Sequence, residues 1–410
     1  MSSESANAAM PPWDPSEPNA IDRLQVVYKI AERCNLNCSY CYYYNMGDDT
    51  ALHRPPRASL QTSHRLARWL AGGCRELGIR NVHISFHGGE PMLVRAAEFA
   101  QACDTFLSTI EPAAKVHFSI QTNGTLLTEG WIEALKAYRV SVGISIDGNR
   151  ADHDRYRIDH RGQSTFDATE AAITRLVAES QLLPSLRPGT ISVVNHRIDY
   201  AETYQYLRSL GIRQMHFLLP DRNAENRSIR SETKAKAIGR GLLRLFEAWI
   251  AEDDVSVDIR FIREALGHFQ IGAPVHAQPQ ERKSNQILVA RSDNTVAIDD
   301  SLIPALAWYS ATPEFPIGSM SLREVFRDPI FMVMENLAKE LPDDCVGCRW
   351  TSICRGGDLD NRYSVANGFN NRSIYCEAYK TLYAGICNTL LQKGYPRSEI
   401  QRRFGDLEHA

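Results

Sequence analysis

Residues 24–41 read LQVVYKIAERCNLNCSYC. The run Leu24–Ile30 has the short, apolar, β-branched composition of a buried strand. Directly after it Cys34, Cys38 and Cys41 stand in the spacing Cys-x3-Cys-x2-Cys. Three thiolates on one loop can hold three irons of a cubane [4Fe–4S] cluster and leave the fourth iron open. A structural cluster or a structural zinc calls for four protein ligands. An open site at the C-terminal end of a strand is where small molecules bind in parallel α/β sheets.

Beyond this stretch the pattern repeats. Candidate strands at Leu24–Ile30, Val82–Phe86, Val116–Gln121, Val140–Ile146, Ile191–Asn195 and Gln214–Leu219 alternate with amphipathic segments at 61–78, 95–110, 128–138, 164–180 and 199–210. Six strands with intervening helices predict βαβ units and a parallel sheet. A curved partial (β/α) barrel and an open doubly wound sheet both fit. Residues 230–270 read as amphipathic helix, 271–295 as a Gln/Pro/Arg/Ser-rich connection, and 376–393 as a short final helix.

Composition sets outer bounds. The chain has 410 residues, with 43% hydrophobic and 23% charged, which is ordinary for a globular protein and excludes a collagen, a coiled coil or a largely disordered chain. A formal net charge of −3 supplies no basic field for nucleic acid. No apolar run approaches the roughly 20 residues of a membrane span. The first 20 residues lack a charged n-region and an apolar h-region, so the expected location is the cytoplasm. There, clustered cysteines point to metal or redox chemistry rather than disulfides. Seven of the ten cysteines fall in two groups; Cys74, Cys103 and Cys387 are scattered and are assigned no role.

Three further motifs follow the first cysteine group in order. Gly88-Gly89-Glu90-Pro91 comes after the second strand; its glycines let backbone approach a ligand, and its carboxylate can pair with an ammonium. Gln121 and Asn123 close the third strand, and Ser145-Ile-Asp147-Gly148 the fourth. Asp147 reads equally well as a turn residue. Arg157 follows in HDRYR, and Val193 and Val194 lie on the next strand.

With Tyr40 as the aromatic just before the third cysteine, the sequence resembles the radical S-adenosylmethionine (SAM) superfamily. The resemblance implies that SAM chelates the open iron and is cleaved to a 5′-deoxyadenosyl radical that removes a hydrogen atom from substrate. It implies that Gly88, Gly89 and Glu90 contact the SAM amino group and that Gln121 or Asn123 lies near the site. Ser145 would contact the ribose or carboxylate, Arg157 would pair with the carboxylate through its fork, and Val193 would line the adenine. It also selects the partial (β/α)6 barrel, over residues 21–225, from the two architectures above.

The second cysteine group has the spacing Cys345-x2-Cys348-x5-Cys354-x21-Cys376. Four thiolates suffice for a [4Fe–4S] cluster or a zinc, and spacing alone does not choose. This segment resembles the SPASM extension of peptide-modifying radical SAM enzymes, whose full pattern carries seven cysteines and two auxiliary clusters. Here Asp358 stands where one further cysteine is expected, and none occurs between about 280 and 300. The four that remain are the set for the outer cluster, so one auxiliary [4Fe–4S] cluster is expected on Cys345, Cys348, Cys354 and Cys376. Asp299, beside the position of a lost cysteine near Ile298, is the expected general base, with Asp300 and Asp358 as rivals.

Two stretches, ERCNLNCSYCYYYNMGD and NRYSVANGFNNRSIYC, are similar to XYE-type maturases. That resemblance implies a catalyst that joins an aromatic side chain to a nearby residue (cyclophane formation) in a ribosomally synthesised precursor peptide, with a cellular donor such as flavodoxin or ferredoxin supplying electrons. The alternatives are an anaerobic sulfatase-maturing enzyme that makes formylglycine, a thioether-forming maturase, and a non-catalytic iron–sulfur or zinc sensor. The expected organisation is a tail (1–20), the barrel (21–225), a helical bridge (226–280), a SPASM-like domain (281–393) and a C-terminal tail (394–410).

Overall fold

The computed structural model describes residues 21, 23–183, 186–226, 231–272 and 287–406. The expected tail at 1–20, and most of the connection at 271–295, lie outside them.

Strands and helices alternate from the first described strand onward. Strands β1 (Arg23–Ala31), β2 (Asn81–Gly88), β3 (Lys115–Thr122), β4 (Ser141–Ser145), β5 (Gly189–Val193) and β6 (Gln214–Leu218) pair in sequence order, all parallel. Helices α1 (Leu60–Leu77), α2 (Ala96–Ile110), α3 (Glu129–Ala137), α4 (Phe166–Leu182) and α5 (Tyr200–Ser209) link them, and α6 (Glu232–Glu252) follows β6. This is the six-fold β/α repeat that the resemblance implies. Alternate residues of β2 are buried and half-buried, the period of a strand with two unequal faces. Local chemistry sets the helix ends. Ser59 accepts a hydrogen bond from Thr62 N to start α1, and Gly78, at φ 69°, ends it in the left-handed conformation. Thr128 and Asp199 cap α3 and α5 in the same way.

The sheet continues past residue 225. Strand β7 (Asp258–Ile259) pairs with β6 at one edge. Strand β8 (Ile287–Ala290) runs parallel to β1 on its other side, from Gln25 opposite Ile287 to Tyr28 opposite Ala290. Strands β9 (Thr295–Ala297) and β10 (Phe315–Pro316) follow antiparallel, giving the order β10-β9-β8-β1-β2-β3-β4-β5-β6-β7. Where the sequence suggests connection at 271–295, its end is therefore sheet. Four apolar residues in a polar stretch carry no periodicity, and β1 rather than local propensity makes ILVA a strand.

The C-terminal part adds α7 (Pro329–Lys339) and α8 (Cys376–Gln392). Helices α6 and α8 approach closely at two glycines: a Cβ on Gly239 would sit 2.6 Å from Ala378 O, and one on Gly385 2.3 Å from Leu243 Cδ2. Residues 394–406 hold a helix, α9 (Arg397–Phe404), rather than trailing off; Phe404 packs on Phe269 and Trp350 with ring centroids 5.2 and 5.3 Å apart. Among the described residues no helix is long and apolar enough to cross a membrane.

Candidate active site

Because β1–β6 are parallel, the loops that leave their C-terminal ends open on one side of the sheet. The cysteine loop leaves β1 and is fixed by backbone bonds to its neighbours. Gly89 N donates to Ala31 O (2.9 Å) and Glu90 N to Arg33 O (2.8 Å). From the other side Asn37 N donates to Ile158 O (2.8 Å) and Ser39 N to Tyr156 O (3.1 Å). The first approach needs glycine. Gly88 has φ 141°, and a Cβ there would fall 1.9 Å from Ala31 O; one on Gly89 would fall 2.3 Å from Arg33 O.

Cys34, Cys38 and Cys41 line one cavity of about 500 Å³ together with Gly88, Gly89 and Glu90. Burial pushes the Cys34 thiol up to about 12, with Glu90, Cys38 and Cys41 adding to it, and burial raises Cys38 and Cys41 as well. Such thiols stay protonated until a cation draws the protons off, as iron does. Among the described residues no three His, Cys, Asp or Glu side chains stand as they would around a single metal ion.

Polar groups from the other strand ends form the rest of the wall. Arg157, 7% exposed, donates from Nη1 to Tyr40 Oη (2.8 Å), and Tyr40 Oη donates to Asp147 Oδ2 (2.6 Å). Asp147 Oδ1 accepts from Val193 N (2.9 Å), so this aspartate is a buried keystone rather than a turn residue. Burial opposes the charge on Arg157, but Cys38, Tyr40 and Asp147 outweigh it and keep the guanidinium charged. Its Nε is buried without a partner, an orphaned donor at a wall where an anionic group would satisfy it. Gln121 Nε2 donates to Ser145 Oγ (2.8 Å), and a Cβ on Gly143 would collide with Gln121 Oε1 at 2.2 Å. Val193 faces the cavity, whereas Val194 is buried behind it.

Glu90 lines the cavity and is also bonded within the chain. Its carboxylate accepts from Met92 N (2.9 Å), Thr122 Oγ1 (2.7 Å) and Asn123 N (2.7 Å). Burial raises it, and those three donors pull it back. With about four acceptor positions on a carboxylate, it staples the β2 and β3 loops and keeps about one position for a ligand. Asn123 in turn bonds Asn35 of the cysteine loop through Nδ2 (2.9 Å).

A second cavity, of about 890 Å³, runs between the barrel and the C-terminal part. Asp221 lines both cavities; Asp299, Asp358 and Asp360 line the second. Burial and then Asp300 push Asp299 up. Asp300 behaves oppositely: burial raises it, but the ion pair and hydrogen bond with Lys29, with Arg291 beyond, outweigh that and hold it below the carboxylate range. Burial with Asp358, Asp300 and Asp299 pushes Asp221 up to about 7, and burial with Asp221 and Asp358 pushes Asp360 well up. Asp299 also caps the turn that follows it, accepting from Ser301 N (3.0 Å).

The second cysteine group assembles from three local structures. Cys345 ends a 3-10 turn and Cys348 N donates to Cys345 O (3.2 Å); Cys354 ends a short helix, Thr351–Cys354; Cys376 opens α8. The thiols act on one another: Cys354, raised by burial to about 11, feels Cys348, Cys345 and Cys376. Gly357 lets the Cys354 turn reach the start of α8, since a Cβ there would lie 2.6 Å from Ser373 Cβ.

Sequence reasoning missed Lys29, His87, Asp221 and Asp360. Their only signals are position: Lys29 is a charge inside an apolar strand, and His87 and Asp221 stand at strand ends that face the cysteine cavity.

Residues 28–181 match the family model of the Radical SAM superfamily. A cysteine-type anaerobic sulfatase-maturating enzyme of Clostridium perfringens is 24% identical over 360 residues, 85% of this chain and 92% of that protein. A serine-type anaerobic sulfatase-maturating enzyme of Klebsiella aerogenes is 26% identical over 352 residues, 83% and 81% of the two chains. The structure of anSMEcpe with bound AdoMet and Cp18Cys peptide superposes with a TM-score of 0.74 at 22% identity, covering 90% of this chain and 98% of that one. Streptococcus suis SuiB bound to precursor peptide SuiA gives 0.57 at 14% identity, covering 86% and 76%.

These relatives overturn the expectation of cyclophane formation, because they align along most of their own length and mature sulfatases. The two stretches behind that expectation carry the first cysteine group and the last cysteine of the second. Residues 361–376 close on themselves through Ser364 N to Gly368 O, Asn371 Nδ2 to Arg362 O and Arg362 Nε to Phe369 O. These bonds shape the loop that leads to Cys376.

Proposed function

Taking residues 28–181 as a Radical SAM domain, we propose that this protein is an enzyme of the anaerobic sulfatase-maturating type, which oxidises a Cys or Ser side chain of a protein or peptide substrate to formylglycine. The observation that carries the reading is the alignment with cysteine- and serine-type maturating enzymes over 83–86% of this chain. The peptide bound in the structural neighbour anSMEcpe supports a peptide as partner.

A [4Fe–4S] cluster with SAM supplies an oxidising carbon radical on one-electron cleavage of SAM. Cys34, Cys38 and Cys41 would hold three irons. Arg157, with its free Nε, would take the SAM carboxylate, and Gln121 and Ser145 the neighbouring polar groups. Gly88 and Gly89 admit backbone carbonyls close to the ligand, and Val193 offers an apolar wall. Cys345, Cys348, Cys354 and Cys376 would hold one auxiliary [4Fe–4S] cluster.

Oxidation of a Ser Cβ–OH to an aldehyde removes two electrons and two protons. One hydrogen atom leaves Cβ, a proton leaves the hydroxyl and one further electron leaves; an auxiliary cluster held by Cys345, Cys348, Cys354 and Cys376 would supply its acceptor. For Cys, the thiol proton leaves instead and water then displaces sulfur as hydrogen sulfide. Asp299 is the carboxylate assigned to that proton: it lines the larger cavity and burial raises its affinity for a proton.

The test is mass spectrometry of Cys- and Ser-containing sulfatase peptides after anaerobic incubation with reconstituted, reduced protein and SAM. An aldehyde that hydrazine captures at that residue is the expected product. Cleavage of SAM with both peptides unchanged would remove sulfatase maturation. No cleavage, with Cys34, Cys38 and Cys41 intact, would favour the sensor.

A further inference from the structure

Tyr44 stands three residues beyond the last cysteine of the triad, at the end of the run Tyr42-Tyr43-Tyr44. Its hydroxyl is buried and has no hydrogen-bond partner among the described residues. The other two hydroxyls of the run are occupied: Tyr42 donates to Asp300 Oδ2 (3.3 Å) and Tyr43 to Glu32 Oε2 (2.5 Å). Tyr44 lines the same cavity as Cys34 and Cys41, and the charge on both thiols bears on its hydroxyl.

The fold makes room for this oxygen. The ring is held edge-on by Tyr43, with centroids 5.1 Å apart. A Cβ on Gly89 would lie 2.2 Å from the Tyr44 hydroxyl, so a residue with any side chain there would displace it. A phenylalanine would fill the ring's place without burying an unpaired donor, and a buried O–H without an acceptor is destabilising. An acceptor belongs beside it. The thiolate and sulfide sulfurs of a cluster on Cys34, Cys38 and Cys41 are acceptors of suitable charge, and hydrogen bonds to such sulfurs set cluster potentials.

We propose that the Tyr44 hydroxyl donates a hydrogen bond to a sulfur of the cluster held by Cys34, Cys38 and Cys41, and that this bond raises the cluster's reduction potential. The donor's positive end stabilises the extra electron of the reduced state. The inference rests on the cluster assigned above and not on the identity of the peptide substrate.

The experiment is an EPR-monitored redox titration of the full, anaerobically reconstituted chain without substrate, comparing wild type, Tyr44→Phe and a chain with 3,5-difluorotyrosine at position 44. The signal that changes when SAM is added identifies the triad cluster; the other serves as internal reference. In Tyr44→Phe the triad midpoint should move to more negative potential while the auxiliary midpoint stays fixed. Difluorotyrosine, a stronger donor of the same shape, should move it the other way. Equal triad midpoints in all three chains would overturn the proposal, and would equally do so if the hydroxyl's acceptor were water or SAM. Should Tyr44→Phe load poorly, the difluorotyrosine chain decides alone. If wild type gives no SAM-responsive signal, the cofactor assignment fails and this inference with it.

Discussion

Lys29, inside the first strand, forms an ion pair with Asp300, on the turn after β9, and both side chains are sealed from solvent, at 0% and 4% exposure. The ammonium also lies 4.2 Å from the centroid of the Tyr43 ring and 3.4 Å from His87 Nδ1. Burial, with Lys29, drives His87 down to about 4, so it is neutral and accepts. The pair fastens the turn that carries Asp299 to the strand that carries the cysteine loop. Removing one partner leaves a buried charge without compensation, which costs about 3–5 kcal/mol. Lys29→Met should lower the urea midpoint accordingly, and the double change Lys29→Met, Asp300→Asn should recover much of the loss. A double variant no more stable than the single one would show that the pair is not the fastening.

Asp299 and Asp300 are neighbours with opposite fates. Asp300 is held charged by its ion pair, whereas Asp299 is pushed toward the protonated form by burial and by Asp300 itself. Asp299→Asn should therefore leave SAM cleavage intact and reduce peptide oxidation by about 100-fold, the lower end of general-base effects. The check is to quantify 5′-deoxyadenosine and aldehyde from the same reaction. An equal fall in both would place Asp299 in SAM binding instead.

Asp221 sets a pH dependence of stability. Unfolded, it ionises at an ordinary carboxylate value of about 3.9; folded, it keeps its proton up to about 7. Across that window the unfolded chain has released a proton that the folded chain retains, so this group's contribution is full below about pH 4 and is lost as pH rises through about 7. Asp221→Asn removes the term. The variant's Tm should fall less than that of wild type between pH 4 and 7. Calorimetry across the range reads this directly, and identical slopes would show that Asp221 ionises normally.

Glu90→Gln tests the staple between the β2 and β3 loops. An amide keeps the size but turns one acceptor oxygen into a donor facing Met92 N and Thr122, or facing Asn123 N. Leaving such buried donors unmatched costs about 1–3 kcal/mol. The expected result is a lower unfolding midpoint together with slower iron loading, because Glu90 N also anchors the cysteine loop through Arg33 O. Unchanged stability would mean that the carboxylate is not held as the structure has it.

Much of this architecture is written locally. The six parallel strands lie within a few residues of their apolar runs, and Cys34, Cys38 and Cys41, with Gly88 and Gly89, announce the site through spacing and order. What stayed hidden depends on distant partners. Ile287–Ala290 becomes a strand because β1 offers an edge. Asp147 looks like a turn residue until Tyr40, Arg157 and Val193 N close around it. The sequence gives no sign that Glu90 also accepts three donors from its own chain. Asp221 and Asp360 carry no motif and matter only because folding sets them beside Asp358. The reaction product was less legible still, since loops that hold cysteines resemble one another whatever chemistry they serve.

The placement of β8 beside β1 has a consequence for how the protein is made. The strand that launches the cysteine triad gains its second neighbour only when Ile287–Ala290 has been synthesised, and Lys29 gains its counter-ion only with Asp300. At roughly 5–20 residues per second, a nascent chain exposes an unsupported cysteine loop and a lone buried-strand lysine for tens of seconds. The first residues of the fold are thus among the last to be completed, and delivery of iron must wait for, or protect, a chain whose opening strand is still half-paired on the ribosome.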